Sequence, residues 1–152
     1  MKKFQKKKIS IKKFKFGKNV KIIQPSNIYG CELGNNVFIG PFVEIQKNSK
    51  IGNDVKIQSH SFICELVTIG NNVFIGHGVM FINDKFKEGG PAGGDKKKWE
   101  NTEIGNGVSI GSNSTILPVK ICENVIIGAG SVVVKDINEI GVYAGNPAKK
   151  IK

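Results

Sequence analysis

The sequence of 152 residues contains no arginine, and none of its 12 acidic residues lies between Lys2 and Lys21. That stretch holds ten of the 23 lysines, whereas the rest of the chain carries 13 lysines against 12 acidic residues, so the net charge of +11 is concentrated in an N-terminal arm. A basic arm can bind nucleic acid, anionic lipid or a phosphorylated metabolite, or it can be a solvated tail. Without arginine, bidentate recognition of phosphate or guanine is absent, which argues against sequence-specific DNA binding. We expect neither a nucleic-acid partner nor a membrane partner.

Long apolar runs and paired cysteines are also missing. No run of about 20 apolar residues is present, which argues against a membrane-spanning helix, and the basic arm lacks the apolar segment of a secretory signal. The three cysteines, Cys31, Cys64 and Cys122, are an odd number without the spacing of metal ligands. Reduced thiols are the simplest interpretation, so we expect a cytoplasmic protein, and its length indicates one domain.

A six-residue repeat organises most of the chain. Large apolar residues recur at every sixth position from Leu33 to Phe81, and the period resumes at Ile104 and slips by one residue between Ile116 and Ile121. The position two residues before each large apolar residue holds Val, Ser, Cys or Thr. Glycine and asparagine often follow the large residue, and both suit tight corners because they tolerate positive φ. A period of six fits neither an α-helix nor an antiparallel sandwich.

This repeat predicts an all-β fold, a parallel β-helix. Two inward side chains spaced by two positions form a short strand, and three six-residue sides make one triangular coil. Coils stacked about 4.8 Å apart bury a continuous column of Ile and Val. We predict a basic arm with an irregular first coil at residues 1–21, a β-helix over 22–140 that is interrupted by a long loop at 82–103, and a tail at 141–152.

Stacking brings polar side chains together at two predicted corners of the coil. Residues 18 apart lie one above the other, which places His77 beside His60, the only other histidine of the chain. On the next corner, at the foot of the loop, Asn83 is placed above Glu65 and Glu65 above Lys47. The period puts all of these side chains outside the core. Imidazole suits proton transfer because it titrates near neutrality, whereas the second group is either part of a site or a solvated ladder.

Three strings give a family resemblance: IQSHSFICE at 57–65, GHGVMFINDK at 76–85 and GVYAGNPAKKI at 141–151. Together with the hexapeptide pattern over residues 33–151, they resemble the left-handed β-helix nucleotide-sugar N-acetyltransferases, and most closely the dTDP-3-amino-3,6-dideoxyhexose 3-N-acetyltransferases. Two positions depart from the family pattern. Cys122 stands where the family commonly has glycine, and Val119 directly follows Leu117-Pro118 where the family usually has glycine, which accounts for the slip of the period. The resemblance implies left-handed coils, a homotrimer with active sites between subunits, acetyl-CoA as co-substrate and a role in polysaccharide biosynthesis.

The resemblance also implies roles for particular residues. His60 is the first candidate to orient or deprotonate the amine, His77 is the second, and Asn83 assists. The predicted substrate-binding residues are Glu65, Asn83, Asp84, Lys85 and Trp99. The predicted acetyl-CoA-binding residues are Gly111 and Ala129, through their backbone groups, and Ser131, Lys135, Pro147, Lys149 and Lys150 near the phosphates and the tail.

The predicted reaction is acetyl transfer from acetyl-CoA to the 3-amino group of a nucleotide-linked sugar. No Ser-His-Asp or Cys-His arrangement is evident, so we expect direct attack without an acyl-enzyme. The alternatives are a UDP-linked 3-amino sugar acid as acceptor, an O-acetyltransferase, a γ-carbonic anhydrase-like metalloenzyme, and a non-catalytic assembly or nucleic-acid-binding module. Two histidines are fewer than the three protein ligands of a catalytic zinc site, so we expect no metal.

Overall fold

The six-residue repeat folds into short strands that stack in parallel. The computed structural model describes residues 11–152, in which every strand but the last pairs in parallel with the coil below or above it. Sheet A has seven strands, sheet B has six and sheet C has eight, and successive strands along the chain pass from A to B to C. The prediction of an all-β fold built as a parallel β-helix is confirmed.

The strands are, in chain order, β1 (Ile11–Lys12), β2 (Lys15–Phe16), β3 (Lys21–Ile22), β4 (Asn27–Tyr29), β5 (Glu32–Leu33), β6 (Phe38–Ile39), β7 (Glu44–Ile45), β8 (Lys50–Ile51), β9 (Lys56–Ile57), β10 (Phe62–Ile63), β11 (Val67–Ile69), β12 (Phe74–Ile75), β13 (Met80–Phe81), β14 (Thr102–Ile104), β15 (Ser109–Ile110), β16 (Thr115–Ile116), β17 (Lys120–Ile121), β18 (Ile126–Ile127), β19 (Val132–Val133), β20 (Val142–Ala144) and β21 (Lys149–Lys150). Sheet A contains β1, β4, β7, β10, β13, β16 and β19, sheet B contains β2, β5, β8, β11, β14 and β17, and sheet C contains the others.

The large aliphatic residues form vertical files inside the coil. In sheet C, Ile39 pairs with Ile57, Ile57 with Ile75, Ile75 with Ile110 and Ile110 with Ile127. All five side chains are buried. Full burial of one such side chain contributes about 1.5–3 kcal/mol, so the stacked files supply the core that a single coil lacks.

On several sides of the coil, serine occupies the inward position two residues before the large aliphatic residue. Its hydroxyl forms a hydrogen bond there. The Ser49 hydroxyl donates to the Cys64 carbonyl at 2.8 Å, and the Ser61 hydroxyl donates to the Gly76 carbonyl at 2.8 Å. Both side chains are buried. A buried hydroxyl without a partner is costly, so these hydrogen bonds explain why serine replaces valine without opening the core.

An asparagine ladder closes the corner between sheets B and C. The side-chain oxygen of Asn53 accepts from the backbone N–H of Asn35 at 2.8 Å, that of Asn71 accepts from Asn53 at 2.7 Å, and that of Asn106 accepts from Asn71 at 2.8 Å. The next residue of the corner has positive φ, for example Asn36 at 56° and Asn72 at 56°. Asparagine tolerates this conformation better than most residues, which accounts for the Asn-rich pairs of the repeat.

The parallel stacking extends into the segment for which an arm and an irregular first coil are predicted. Residues 1–10, about half of that segment, lie outside the described residues. Beyond them, β1, β2 and β3 pair in parallel with the next coil. Apolar residues there are partly exposed, with Phe16 at 65%, because no coil lies beneath them within the described chain.

The loop and the tail lie close to their predicted positions. Strand β13 ends at Phe81 and β14 begins at Thr102, so the loop spans 82–101 against the predicted 82–103. One short 3-10 helix, Lys96–Lys98, lies within it. The tail stays in contact with the coil, because β20 adds a parallel strand to sheet C beside β18, and β21 then folds back antiparallel to β20. Residues 11–152 contain no helix that is long and apolar enough to span a bilayer.

The three cysteines are reduced and differ in accessibility. Burial raises the pKa of the Cys31 thiol to about 11 and that of Cys64 to about 12, whereas Cys122 is only half-buried. Because the thiolate is the reactive form, we expect iodoacetamide at mildly alkaline pH to alkylate Cys122 alone in the folded protein. Peptide mass mapping checks this result, with protein in concentrated urea as the control in which all three react. Equal rates at Cys31 and Cys122 in the folded protein would contradict the burial of Cys31.

Candidate active site

One edge of the prism carries both histidines and the predicted backbone contacts of coenzyme A. We call it the histidine edge, formed by residues 41–42, 59–60, 77–78, 112–113 and 129–130 where sheet C passes to sheet A. Backbone hydrogen bonds stack its coils: Gly78 N donates to Ser59 O at 3.0 Å, Asn113 N to His77 O at 2.8 Å and Gly130 N to Ser112 O at 2.8 Å. His77 therefore stands directly below Ser112, and Ser112 directly below Ala129.

His77 is exposed and held by Ser112. The backbone N–H of His77 donates to the Ser112 hydroxyl oxygen at 3.1 Å, and the same oxygen lies 3.4 Å from Nδ1 of the His77 ring. Both contacts come from the coil above: the first anchors the His77 backbone, and the second orients the ring toward Ser112. Because Nδ1 faces Ser112, Nε2 is the ring nitrogen available to a substrate.

His60 lies on the same edge, one coil below His77. Its backbone has a φ of 64°, and its ring stacks on Phe42 with the ring centroids 4.8 Å apart. His60 and Phe42 are both exposed, Phe42 at 56%. The sequence prediction that the two histidines share a corner is therefore correct, but they occupy different columns of it, and His77 is the one in the column of Ser112 and Ala129.

Gly111 and Ala129 pack against one another across adjacent coils. A Cβ added at Gly111 would lie 2.4 Å from the backbone nitrogen of Ala129, so no larger residue fits without moving the chain. Ala129 is exposed. The glycine thus lets the turn at Ala129 pack closely on the coil that carries Ser112.

The prediction that Ser131 binds a phosphate is wrong. Ser131 is fully buried, its hydroxyl donates to the Gly128 carbonyl at 2.6 Å, and its oxygen accepts from Gly145 N at 3.2 Å. Its position belongs to the inward Val/Ser series of the repeat, which outweighs the family resemblance here. Ser131 instead holds the start of the tail against the last coil.

The other residues predicted for coenzyme A lie on the surface. Lys135, Pro147, Lys149 and Lys150 are all exposed, and Pro147 lies in the turn between β20 and β21. Lys150 Nζ pairs with Glu139 at 3.0 Å, and hydrogen bonding to that carboxylate raises the pKa of Lys150. Ala148 N donates to Val132 O at 2.8 Å, which joins this turn to β19.

A second edge carries the loop and the predicted acceptor residues. We call it the loop edge, formed by residues 47–48, 65–66 and the loop 82–101 where sheet A passes to sheet B. Asn83 Nδ2 donates to the backbone carbonyl of Glu65 at 3.2 Å, and Lys47 Nζ lies 4.0 Å from the Glu65 carboxylate. The predicted stack of Lys47, Glu65 and Asn83 is therefore correct.

Glu65 lies outside the aliphatic core, as the period predicts, but it is not part of a solvated ladder. Its side chain is 9% exposed, because Lys96 of the loop lies over it with Nζ 3.0 Å from both carboxylate oxygens. Stacking arithmetic gives the position of a residue on the coil but not the fold of a twenty-residue loop. For that reason the sequence offered no signal for Lys96.

Asp84 and Lys85 hold the loop together. The Asp84 carboxylate accepts from the backbone N–H groups of Phe86 at 2.9 Å and Ala92 at 2.7 Å. Lys85 Nζ lies 3.3 Å from the Glu100 carboxylate, which also pairs with Lys87. The hydrogen bond from Lys87, followed by that from Lys85, lowers the pKa of Glu100. Glu100 therefore stays ionised and ties the two ends of the loop. Asp84 and Lys85 brace the loop, and Asp84 also borders a groove beside it.

Trp99 lines a groove between the loop and the outer face of sheet A. The groove has a volume of about 480 Å³ and is bordered by the outward residues Phe62 and Met80 and by the loop residues Phe86 and Trp99. Its polar groups are Gln46, Asn83 and Asp84. Such a mainly apolar cleft with few polar groups suits a planar ring. Trp99 is half-buried, and Lys96 Nζ lies 5.3 Å from its ring centroid.

The two edges are separated by the width of sheet A. On one coil the segment from His60 to Glu65, which contains β10, connects the two edges. At a rise of 3.3 Å per residue the edges lie roughly 16 Å apart along this segment. A ligand that contacts both edges has to span this distance or be bound by edges of two different copies. Within residues 11–152, no three His, Cys, Asp or Glu side chains are grouped closely enough to hold a metal ion.

Two segments of the chain match hexapeptide-repeat families. Residues 30–65 match the family described as bacterial transferase hexapeptide (six repeats), and residues 101–135 match hexapeptide repeat of succinyl-transferase. The bifunctional protein GlmU of Carboxydothermus hydrogenoformans is 41% identical over 111 residues, or 72% of this chain. GlmU of a Thermotoga species is 33% identical over 174 aligned residues, or 92% of this chain. The chain spans only 22% and 37% of the lengths of these two relatives.

A solved structure is similar over most of both chains. A mutant of AntD, an N-acyltransferase from Bacillus cereus in complex with dTDP and coenzyme A, has a TM-score of 0.80 at 27% identity, covering 91% of this chain and 82% of AntD. Another AntD mutant, in complex with dTDP-4-amino-4,6-dideoxyglucose and coenzyme A, has a TM-score of 0.59 at 28% identity over the same shares.

Proposed function

The chain belongs to the hexapeptide-repeat acyltransferase family, and on that premise we propose that it transfers an acetyl group from acetyl-CoA to the amine of a dTDP-linked amino-dideoxyhexose. The observation that carries the proposal is the column of His77, Ser112 and Ala129 on one edge, in a coil similar to that of an N-acyltransferase bound to dTDP and coenzyme A. The dTDP and coenzyme A bound to that relative support a nucleotide-linked acceptor and a thioester donor for this chain, with one proposed site at each edge.

In the proposed reaction the amine attacks the thioester carbonyl carbon directly. A C–N bond forms as the C–S bond breaks, coenzyme A leaves as the thiol or thiolate, and one proton is lost from the nitrogen. The attacking amine has to be neutral, so a group that accepts or positions its proton aids the step. Holding both reactants in line along the edge supplies a further part of the rate.

We propose His77 as the group that meets the amine, with His60 second. The sequence places His60 first, but the contacts of the ring favour His77. Ser112 faces Nδ1 of His77 at 3.4 Å, which leaves Nε2 free to accept a proton. His60 is committed to a stack on Phe42 and lies one coil farther from Ala129.

The proposed donor site runs up the histidine edge toward the tail. Backbone groups at Gly111 and Ala129 bond the pantetheine arm, and the turn at Pro147 borders it. Lys135 and Lys149 are the proposed partners of the phosphates, since an ammonium binds phosphate as a point charge. Lys150 is less suited, because Glu139 already neutralises it.

The proposed acceptor site is the groove beside the loop. Its apolar walls, Phe62, Met80 and Trp99, suit the nucleotide base, and Asn83 is placed to bond a sugar hydroxyl or the amine. The family resemblance points to an amine at C3, whereas the ligand of the AntD mutant carries its amine at C4. We propose the 3-amino sugar as substrate and use the 4-amino isomer as the comparison.

We propose a homotrimer with the active sites between subunits. Phe74 and Ile126 on sheet C are exposed by 40% and 49%, and assembly would cover such apolar positions. Sheet B presents ion pairs instead, for example Lys15 with Glu32 at 2.9 Å, which suit contact with water. The histidine edge and the loop edge lie on opposite sides of sheet A in one copy. In a trimer, the histidine edge of one copy and the loop edge of another would together form a site.

A free-thiol assay tests the proposed function. We expect thiol release from acetyl-CoA with dTDP-linked 3-amino-3,6-dideoxyhexose, slower release with the 4-amino isomer and with UDP-linked 3-amino sugars, and none with the corresponding hydroxy sugar. Mass spectrometry of the product checks for the N-acetyl group. Preference for the hydroxy sugar would replace the proposal by an O-acetyltransferase, and no release with any amino sugar would reject it.

A further inference from the structure

The buried carboxylate of Glu65 is surrounded by polar side chains of the protein itself. Lys96 Nζ lies 3.0 Å from both oxygens, Asn48 Nδ2 lies 3.4 Å from Oε2, and Lys47 Nζ lies 4.0 Å from Oε1. The backbone N–H of Glu65 donates to Gln46 at 3.3 Å. A side chain that is 9% exposed and fully surrounded by cations and amides has little capacity left for a substrate amine.

Lys96 is the link between the loop and the coil. Within residues 11–152, its contact with Glu65 is the only side-chain hydrogen bond or ion pair that joins residues 85–99 to the preceding coils. The other bonds of the loop, such as those of Asp84 and Glu100, connect parts of the loop with one another. The loop is thus internally braced, and beyond Asn83 at its start, which donates to the Glu65 carbonyl, the Lys96–Glu65 pair is the polar side-chain contact that attaches it to the coil.

The same lysine lies over Trp99, a residue that lines the groove. Lys96 Nζ lies 5.3 Å from the Trp99 ring centroid, on the side chain that forms one wall of the groove with Phe62 and Met80. A cation at this distance over an indole is attractive. Lys96 therefore connects the buried Glu65 to the wall of the proposed acceptor site.

We infer that Glu65 is a positioning residue that acts through Lys96 to place Trp99 in the groove and does not itself contact the substrate. The ion pair sets the height of the loop over sheet A, and the loop in turn sets the width of the groove. This inference rests on the proposed function for its catalytic consequence, whereas the placement of Trp99 by the ion pair is independent of it.

Trp99 is the only tryptophan of the chain, so acrylamide quenching of its fluorescence reports the position of the loop directly. We expect Glu65→Gln and Lys96→Met to raise the quenching constant about twofold or more, because a weakened ion pair frees the loop to open. Glu65→Gln is the decisive variant, since it leaves both the indole and its neighbouring ammonium in place. Lys97→Met, at the adjacent exposed lysine, is the matched control and should change nothing, and Lys96→Arg should stay near the unaltered protein.

Kinetics then separate positioning from direct contact. For a positioning role we expect KM for the nucleotide sugar to rise about tenfold in Glu65→Gln, with kcat changed less than about threefold and KM for acetyl-CoA unchanged. A fall of kcat by about a hundredfold without increased quenching would mean that Glu65 meets the substrate, and the inference would be rejected. Unchanged quenching in both variants also rejects it. If no nucleotide sugar is turned over, the proposed function fails, and the quenching result still decides whether the pair holds Trp99.

Discussion

Replacing Ile57 by aspartate is expected to prevent the protein from folding. Ile57 is fully buried between Ile39 and Ile75 in the central file of sheet C. The change removes about 1.5–3 kcal/mol of apolar burial and places a carboxylate among hydrocarbons, at a further cost of several kcal/mol. That sum is comparable with the total stability of a domain, about 5–15 kcal/mol. Loss of the β-sheet circular dichroism signal, together with aggregation at low urea, measures the effect.

Thr68→Asp provides the control for this prediction. Thr68 is the outward neighbour of the buried Ile69 on strand β11 and is exposed on sheet B between Lys50 and Glu103, so the same carboxylate there should leave the urea midpoint nearly unchanged, within the ±0.5 kcal/mol usual for surface sites. A folded Ile57→Asp protein of normal stability would show that the files of aliphatic residues are not the source of the fold's stability.

Replacing His77 by alanine is expected to lower kcat by about 10² to 10⁴ if its imidazole accepts the amine proton. His77 lies in the column of Ser112 and Ala129, and the Ser112 contact leaves Nε2 open to the substrate. The free-thiol assay measures kcat at saturating acetyl-CoA. Ser112→Ala should lower kcat less, about tenfold, since it loosens the ring without removing it.

His60→Ala is the comparison that assigns the role. His60 stacks on Phe42 in the neighbouring column, so we expect only a few-fold loss there. The reverse order, with the large loss at His60, would restore the order predicted from the sequence and reject our assignment. A few-fold loss at both histidines would mean that neither is a base and that the departing sulfur takes the proton, leaving positioning as the main source of rate.

Most of the fold follows from the periodicity of the sequence. An inward aliphatic residue at every sixth position leaves one arrangement that buries all of them, because each side of the coil is too short to form a core alone. The file of Ile39, Ile57 and Ile75, the loop after Phe81 and the shared corner of the histidines were predictable for this reason, since stacking converts sequence spacing directly into height. The same logic places Ser131 inside, where the resemblance alone had placed it at a phosphate.

The tertiary structure decided what the repeat does not encode. The loop 82–101 has no period, so only its folded form shows that Lys96 covers Glu65 and that Asp84, Lys85 and Glu100 brace the loop. The choice between His77 and His60 likewise depends on which neighbours the stacked coils provide. The sequence by itself determined the parallel β-helix and the height of each residue in it, because these depend on repeated local burial. Side-chain contacts between coils, and those made by the loop, join residues that are far apart in the sequence. No spacing in the chain specifies them.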